Sequence, residues 1–130
     1  MPSKNKKLRN KLIENLAAAV YKQGEQALKL SKYRDAVNHF LRIRKLAPFS
    51  KIRSTAEYDA ATTLISLKDW SEAAVVLNDF RKRYPKHKYQ ADITKKIAYV
   101  YREDKKYYKA AKEFERIFSQ AKTRTIQRES

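Results

Sequence analysis

Apolar residues recur in three separate stretches of the chain with the spacing of one face of an α-helix. Each stretch begins at an aromatic residue, and further apolar residues follow it at three, four, seven and ten positions. On an α-helix these positions share one face. The pattern therefore predicts three amphipathic helices, which cover about residues 33–46, 70–83 and 107–121.

The three stretches are copies of one unit that repeats every 37 residues, because Tyr33, Trp70 and Tyr107 stand at the same place in successive copies. The other aligned positions are Ala36, Ala73 and Ala110, then Phe40, Leu77 and Phe114, then Ile43, Phe80 and Ile117, and finally Pro48 and Pro85. The prolines are expected to end the first two helices, since proline interrupts a helix interior. Internal similarity at a fixed period indicates a repeat architecture.

A further helix is predicted upstream of each of these three. The upstream helices cover about residues 14–30, 52–67 and 88–103. Each contains a small residue at the same place, namely Gly24, Ala61 and Ala98. Glycine in a helix interior costs about 1 kcal/mol relative to alanine, so close helix packing is the expected reason for Gly24. The prediction is an all-α fold of three helix pairs.

Composition agrees with an all-α fold and excludes several kinds of site. One glycine and three prolines in 130 residues are too few for the turns of a β-rich protein. The absence of cysteine excludes disulfides, thiolate metal sites and cysteine nucleophiles. No apolar stretch approaches the roughly 20 residues that span a bilayer, and the first 20 residues lack the pattern of a signal peptide.

The formal net charge of +17 is the strongest compositional feature. Lysine and arginine keep exposed helix faces solvated, and they also attract polyanions such as acidic proteins, nucleic acid or an anionic membrane surface. The positive residues are spread along the chain, with local concentrations in 2–11 and 81–88. A spread of this kind argues against a dedicated binding arm.

The aligned residues resemble the tetratricopeptide repeat family. The family pattern of a small residue, an aromatic, an alanine, a large apolar residue and a proline is present in copies one and two, while copy three has Lys122 where proline would stand. The resemblance implies a right-handed superhelical stack of three antiparallel helix pairs in a single domain, 1–130. Its repeats would cover about 17–50, 54–87 and 91–122, between a 1–16 helix extension or basic lead-in and a 123–130 polar tail.

The period points to a particular group within this family. The usual unit has 34 residues, and here three extra residues lie between the proline and the next helix. This spacing resembles tetratricopeptide repeat proteins of the bacterial cell envelope, of the BamD and YbgF (CpoB) types. The resemblance implies the periplasm or cell envelope, with the cytoplasm as the alternative, and it allows the chain to be part of a longer repeat protein.

The resemblance also implies where a partner would bind, because the first helix of each pair lines the concave face in this family. The residues that this assigns are Tyr21, Glu25, Leu28, Tyr58, Asp59, Thr62, Lys95, Lys96, Tyr99 and Arg102. The tyrosines are suitable anchors, since each has a large ring with a hydrogen-bonding tip; packing between repeats is the alternative for each. The lysines and the arginine would form a basic end of the groove.

The expected function is a non-catalytic scaffold for protein–protein interaction, which binds an acidic or amphipathic partner segment in the groove. His39 and His87 have no histidine partner at metal spacing, and no glycine-rich phosphate loop is present. No enzyme activity, cofactor or metal is therefore expected. Two alternatives stay open: a basic helical repeat that binds nucleic acid, and a structural spacer within a longer array that self-associates through exposed ends.

Overall fold

A computed structural model describes the backbone of residues 2–129 and the side chains of residues 4–124, and this part of the chain consists of α-helices joined by turns and short loops. The six helices are α1 (Pro2–Lys29), α2 (Tyr33–Leu46), α3 (Ile52–Ser66), α4 (Trp70–Arg83), α5 (Gln90–Glu103) and α6 (Tyr107–Glu129). They confirm the all-α prediction. The bounds of α2 and α4 are those that the apolar pattern predicts, and α3 and α5 differ by one or two residues.

The helices form two compact units, residues 1–69 and 70–130. In the first unit α2 packs against both α1 and α3, and α1 also contacts α3. In the second unit α5 packs against both α4 and α6. Each unit therefore consists of three helices, and the second of them along the chain packs against the other two.

The core of the first unit forms around α2. Ala36, Val37, Phe40 and Ile43 are fully buried there, and burial of a large apolar side chain contributes about 1.5–3 kcal/mol. Gly24 of α1 lies against Phe40, and a β-carbon built on this glycine would come within 2.7 Å of the ring carbon Cζ. Close helix packing at Gly24, as the sequence predicts, is present.

The core of the second unit repeats these positions on α4. Ala73, Leu77 and Phe80 are buried at the places that Ala36, Phe40 and Ile43 occupy in α2. From α5 the buried apolar residues are Ile93, Ile97, Ala98 and Val100. The third copy differs, since Phe114 is 43% exposed although its counterparts are fully buried. The difference arises because α5 covers only one side of α6 in this unit.

Three non-glycine residues with positive φ connect the first helix of each copy to the second. Ser31, Lys68 and Lys105 have φ of 59°, 59° and 60°, and they stand 37 residues apart. In each turn the amide of the next residue donates to a carbonyl five residues back, as Lys32 does to Ala27 at 2.8 Å. This is the hydrogen bond of a Schellman cap. The repeat therefore extends to the backbone conformation of its turns.

Two helices are longer than the apolar pattern predicts. The first, α1, begins at Pro2, well before residue 14 where the pattern places its start. The last continues to Glu129 through most of the segment described above as a polar tail. Lys122 replaces the proline that precedes the loop in copies one and two, so no residue there prevents the helix from continuing. The outermost residues, 1 and 130, lie outside the described part.

Candidate functional site

A hydrogen bond between α1 and α3 organises the predicted binding residues of the first unit. The hydroxyl of Tyr21 on α1 donates to Oδ2 of Asp59 on α3. The Tyr21 ring also packs against the ring of Phe40, with centroids 5.3 Å apart. Tyr21 is therefore fixed at both its ring and its hydroxyl, which leaves it little rotational freedom.

The carboxylates near this hydrogen bond give the site a negative character. Glu25, one helical turn after Tyr21, pairs with Lys22 at 3.2 Å, and its Oε1 is a buried atom. Burial raises the pKa of Asp59, and Glu25 adds to this effect, while the hydrogen bond from Tyr21 acts in the opposite direction. The pKa of Tyr21 lies well above its ordinary value, chiefly because of burial and then because of the bond to Asp59.

The remaining predicted residues of this unit are half-buried on the same two helices. Thr62 on α3 donates from Oγ1 to the Asp59 carbonyl at 3.0 Å, and the neighbouring Thr63 does so at 2.7 Å. Tyr58 and Leu28 are each partly accessible. The structure thus brings Tyr21, Asp59 and Thr62 together through a set of hydrogen bonds.

The predicted residues of the second unit all lie on α5. Tyr99 is partly exposed, its ring meets the Trp70 ring edge-on at 6.0 Å, and the Arg102 guanidinium lies 5.4 Å from its centroid. Lys96 pairs with Asp92 at 3.5 Å, and Lys95 is exposed. A cation over an aromatic face is attracted by the ring quadrupole. This helix therefore presents an aromatic ring beside basic groups.

The first unit contains a buried ion cluster that the sequence analysis did not single out. Glu57 of α3 is nearly inaccessible, and Arg44 of α2 reaches it at 3.0 Å while Arg53 reaches it at 3.4 Å. Burial of a carboxylate requires such pairing. The one signal in the sequence is an acidic residue within the apolar face of a predicted helix.

The second unit contains a comparable pair. Arg81 of α4 donates to both carboxylate oxygens of Glu113 on α6, at 2.6 and 3.0 Å. Its guanidinium also contacts Asn78, whose amide donates to the Tyr101 hydroxyl at 3.1 Å. The Arg81 hydrogen bond lowers the pKa of Glu113 and outweighs burial of the carboxyl, which acts in the opposite direction.

The surroundings of His87 are those of a packed aromatic side chain. His87 stacks among aromatic rings, with the Tyr89 centroid 4.8 Å and the Phe80 centroid 5.0 Å away, and its Nδ1 accepts the Tyr89 amide at 3.1 Å. Over the described residues, no three histidine, cysteine or acidic side chains are grouped so as to hold a metal ion. His87 thus has a packing role in the loop between α4 and α5.

Comparison with known proteins agrees with the repeat pattern. A family model named YfiO and described as an outer membrane lipoprotein matches residues 14–120. The chain belongs to the YfiO family. Membership confirms the resemblance to cell-envelope repeat proteins of the BamD type. No curated protein matches the chain. In the described part of this YfiO-family chain, no helix has the length and apolar character to cross a membrane.

Proposed function

We propose that the chain is a non-catalytic protein-interaction scaffold of the bacterial cell envelope, located at the outer membrane. Membership of a family of outer membrane lipoproteins supports this location. The 37-residue repeat of helices supports the scaffold role, because repeats of this kind provide extended binding surfaces. Partner binding takes place on the first helices of the repeats, α1, α3 and α5.

The single observation behind this assignment is the fixed position of Tyr21. Its ring packs on Phe40 and its hydroxyl is bonded to Asp59, so a partner that contacts it does not have to immobilise it first. Preorganisation of this kind reduces the entropic cost of association. The half-buried Tyr58 and Leu28 add apolar area on the same helices.

The partner segment that we propose is acidic or amphipathic. On the second unit, acidic residues of a partner pair with Lys95 and Arg102 of α5. On the first unit, taken by itself, apolar or hydrogen-bonding residues of a partner contact Tyr21 and Tyr58. Charged contacts at the rim of an interface mainly raise the association rate and are screened by salt. Aromatic anchors at its centre determine most of the affinity.

The test begins with isolation of a binder from an envelope fraction and measurement of its dissociation constant by calorimetry. Tyr58→Ala is expected to weaken binding at least about ten-fold, since a buried aromatic anchor contributes about 2 kcal/mol or more. Lys82→Ala on α4, an exposed residue of a second helix, is the control and is expected to leave the dissociation constant unchanged. Weaker binding of the control with normal binding of Tyr58→Ala would place the interface elsewhere.

Nucleic-acid binding is the second candidate, and one observation favours it. Four tyrosines in the described part of the second unit lie beside cations, namely Tyr89 with Lys88, Tyr99 with Arg102, Tyr101 with Lys109 and Tyr108 with Lys112. Single strands bind to surfaces of this composition by stacking and by phosphate contacts. A salt titration separates the two functions, because nucleic-acid affinity falls steeply with salt and aromatic-anchored peptide binding falls much less.

A further inference from the structure

The N-terminal part of α1 presents an apolar stripe to solvent. Leu8, Leu12 and Leu16 follow one another at four-residue spacing and therefore lie along one helix face. Their side chains are 58%, 58% and 43% exposed. A shallow groove runs along this face, lined by these leucines with Asn5, Arg9 and Ile13. The stripe ends where α1 enters the core, since Val20, four residues after Leu16, is buried and Ala17 is buried as well.

Basic side chains flank the leucine stripe. Residues 4–11 include five basic residues and no acidic one, and all five are exposed: Lys4, Lys6, Lys7, Arg9 and Lys11. Helix geometry places Lys4, Lys7 and Lys11 on one side of the leucines and Arg9 on the other. The nearest acidic residue, Glu14, accepts a hydrogen bond from Ser50 at 2.9 Å. Residues 4–16 thus form a basic amphipathic segment.

We propose that this basic amphipathic segment binds the surface of a bilayer that contains anionic phospholipids. The leucines enter the boundary between headgroups and acyl chains, and the lysines contact the headgroup phosphates. A helix with basic residues on its polar side and leucines on its apolar face binds such interfaces through buried apolar area together with electrostatic attraction. Neither contribution requires a membrane-spanning helix.

The positive charge of the segment favours an anionic bilayer over a second copy of the chain as its binding partner. The protein has a net charge of +17, and pairing of two such segments would set like charges against each other at close range. An anionic bilayer instead matches both the leucine stripe and the basic flanks. Residues 4–13 precede the part of the chain that the family model matches. The proposal is independent of partner binding on the first helices of the repeats.

The test is co-flotation of the full chain with vesicles of about three parts phosphatidylcholine to one part phosphatidylglycerol, and with vesicles of phosphatidylcholine alone. We expect strong binding to the anionic vesicles that weakens as salt is raised. Leu8→Ala combined with Leu12→Ala should lower the partition coefficient at least about ten-fold, because less apolar area is buried. Leu30→Ala is the control, because Leu30 has a similar exposure and directly follows the other end of α1.

A second pair of variants tests whether the charges act locally. Lys7→Glu with Lys11→Glu should lower anionic-vesicle binding at least about ten-fold. Lys45→Glu with Lys51→Glu produces the same net charge in the same unit and should change binding by less than about two-fold. Circular dichroism verifies that each variant keeps its helix content.

Three results would overturn the proposal. Equal losses for the two charge pairs would show attraction by net charge alone. Unchanged binding of the leucine variant would show that the stripe stays outside the bilayer. The third is that the chain does not bind vesicles. If sedimentation velocity then shows a dimer that Leu8→Ala and Leu12→Ala abolish, the stripe binds a second copy of the chain. If these variants instead abolish binding to an acidic protein, the stripe binds that protein.

Discussion

The hydroxyl of Tyr21 donates a hydrogen bond to the carboxylate of Asp59, which lies 38 residues later in the chain. The bond joins α1 to α3 in the first unit, and both groups are withdrawn from water. Burial raises the pKa of each of them. This pair is therefore both the most constrained part of the predicted binding surface and a source of pH-dependent stability.

Tyr21 should make the first unit sensitive to alkaline pH. Its folded-state pKa lies above the ordinary value of about 10, so the folded protein holds this proton more tightly than the unfolded chain. Its contribution is complete below about pH 10 and is lost as the pH rises towards the folded-state pKa. We expect the urea midpoint to fall as the pH rises above about 10, and to fall less in Tyr21→Phe. An equal fall in Tyr21→Phe would assign the effect to the other tyrosines.

The Arg81–Glu113 pair should act in the opposite pH range. The folded-state pKa of Glu113 lies below its unfolded value because of the Arg81 hydrogen bonds. The stabilisation is therefore present above about pH 4 and is lost as the pH falls through the folded-state pKa. Glu113→Gln should cost about 2 kcal/mol near pH 7 and much less near pH 2. Chemical denaturation at both pH values measures this, with the exposed Glu115→Gln as control.

Gly24→Ala should destabilise the protein although alanine is the better helix former. The substitution gains about 1 kcal/mol of helix propensity but sets a methyl group against the ring of Phe40, which is fully buried. Overpacking of this kind costs about 1–3 kcal/mol. We expect a lower melting temperature for Gly24→Ala and partial recovery on adding Phe40→Leu. A higher melting temperature for the single variant would contradict the close packing.

Glycine at the three positive-φ positions should stabilise the protein. Ser31, Lys68 and Lys105 have left-handed backbone conformations, which cost a residue with a β-carbon about 1 kcal/mol. Each change to glycine should raise the free energy of unfolding by about 0.5 kcal/mol, after the greater flexibility of glycine in the unfolded chain is subtracted. Gln26→Gly, at an exposed position in the interior of α1, is the control and should destabilise by about 1 kcal/mol. Thermal melts of the four variants provide the comparison.

The sequence by itself determined the helices and their repetition. The 37-residue register of Tyr33, Trp70 and Tyr107 is a local pattern, since a helix face depends only on residues within a few turns. Pro48 and Pro85 likewise end their helices by local covalent geometry. Close packing at Gly24 also followed from the pattern, because it is the expected reason for glycine in a helix interior; that the neighbour is Phe40 came from the structure.

Only the tertiary structure decided which polar groups meet. Asp59 and Glu57 are two residues apart on α3, yet one bonds to Tyr21 of α1 and the other to Arg44 of α2. Such pairing depends on the rotation and axial position of each helix relative to its neighbours, and a change of a few ångströms breaks a hydrogen bond. Exposure is decided in the same way. Phe114 has the sequence environment of buried Phe40, but it is accessible because helix packing covers only one side of α6.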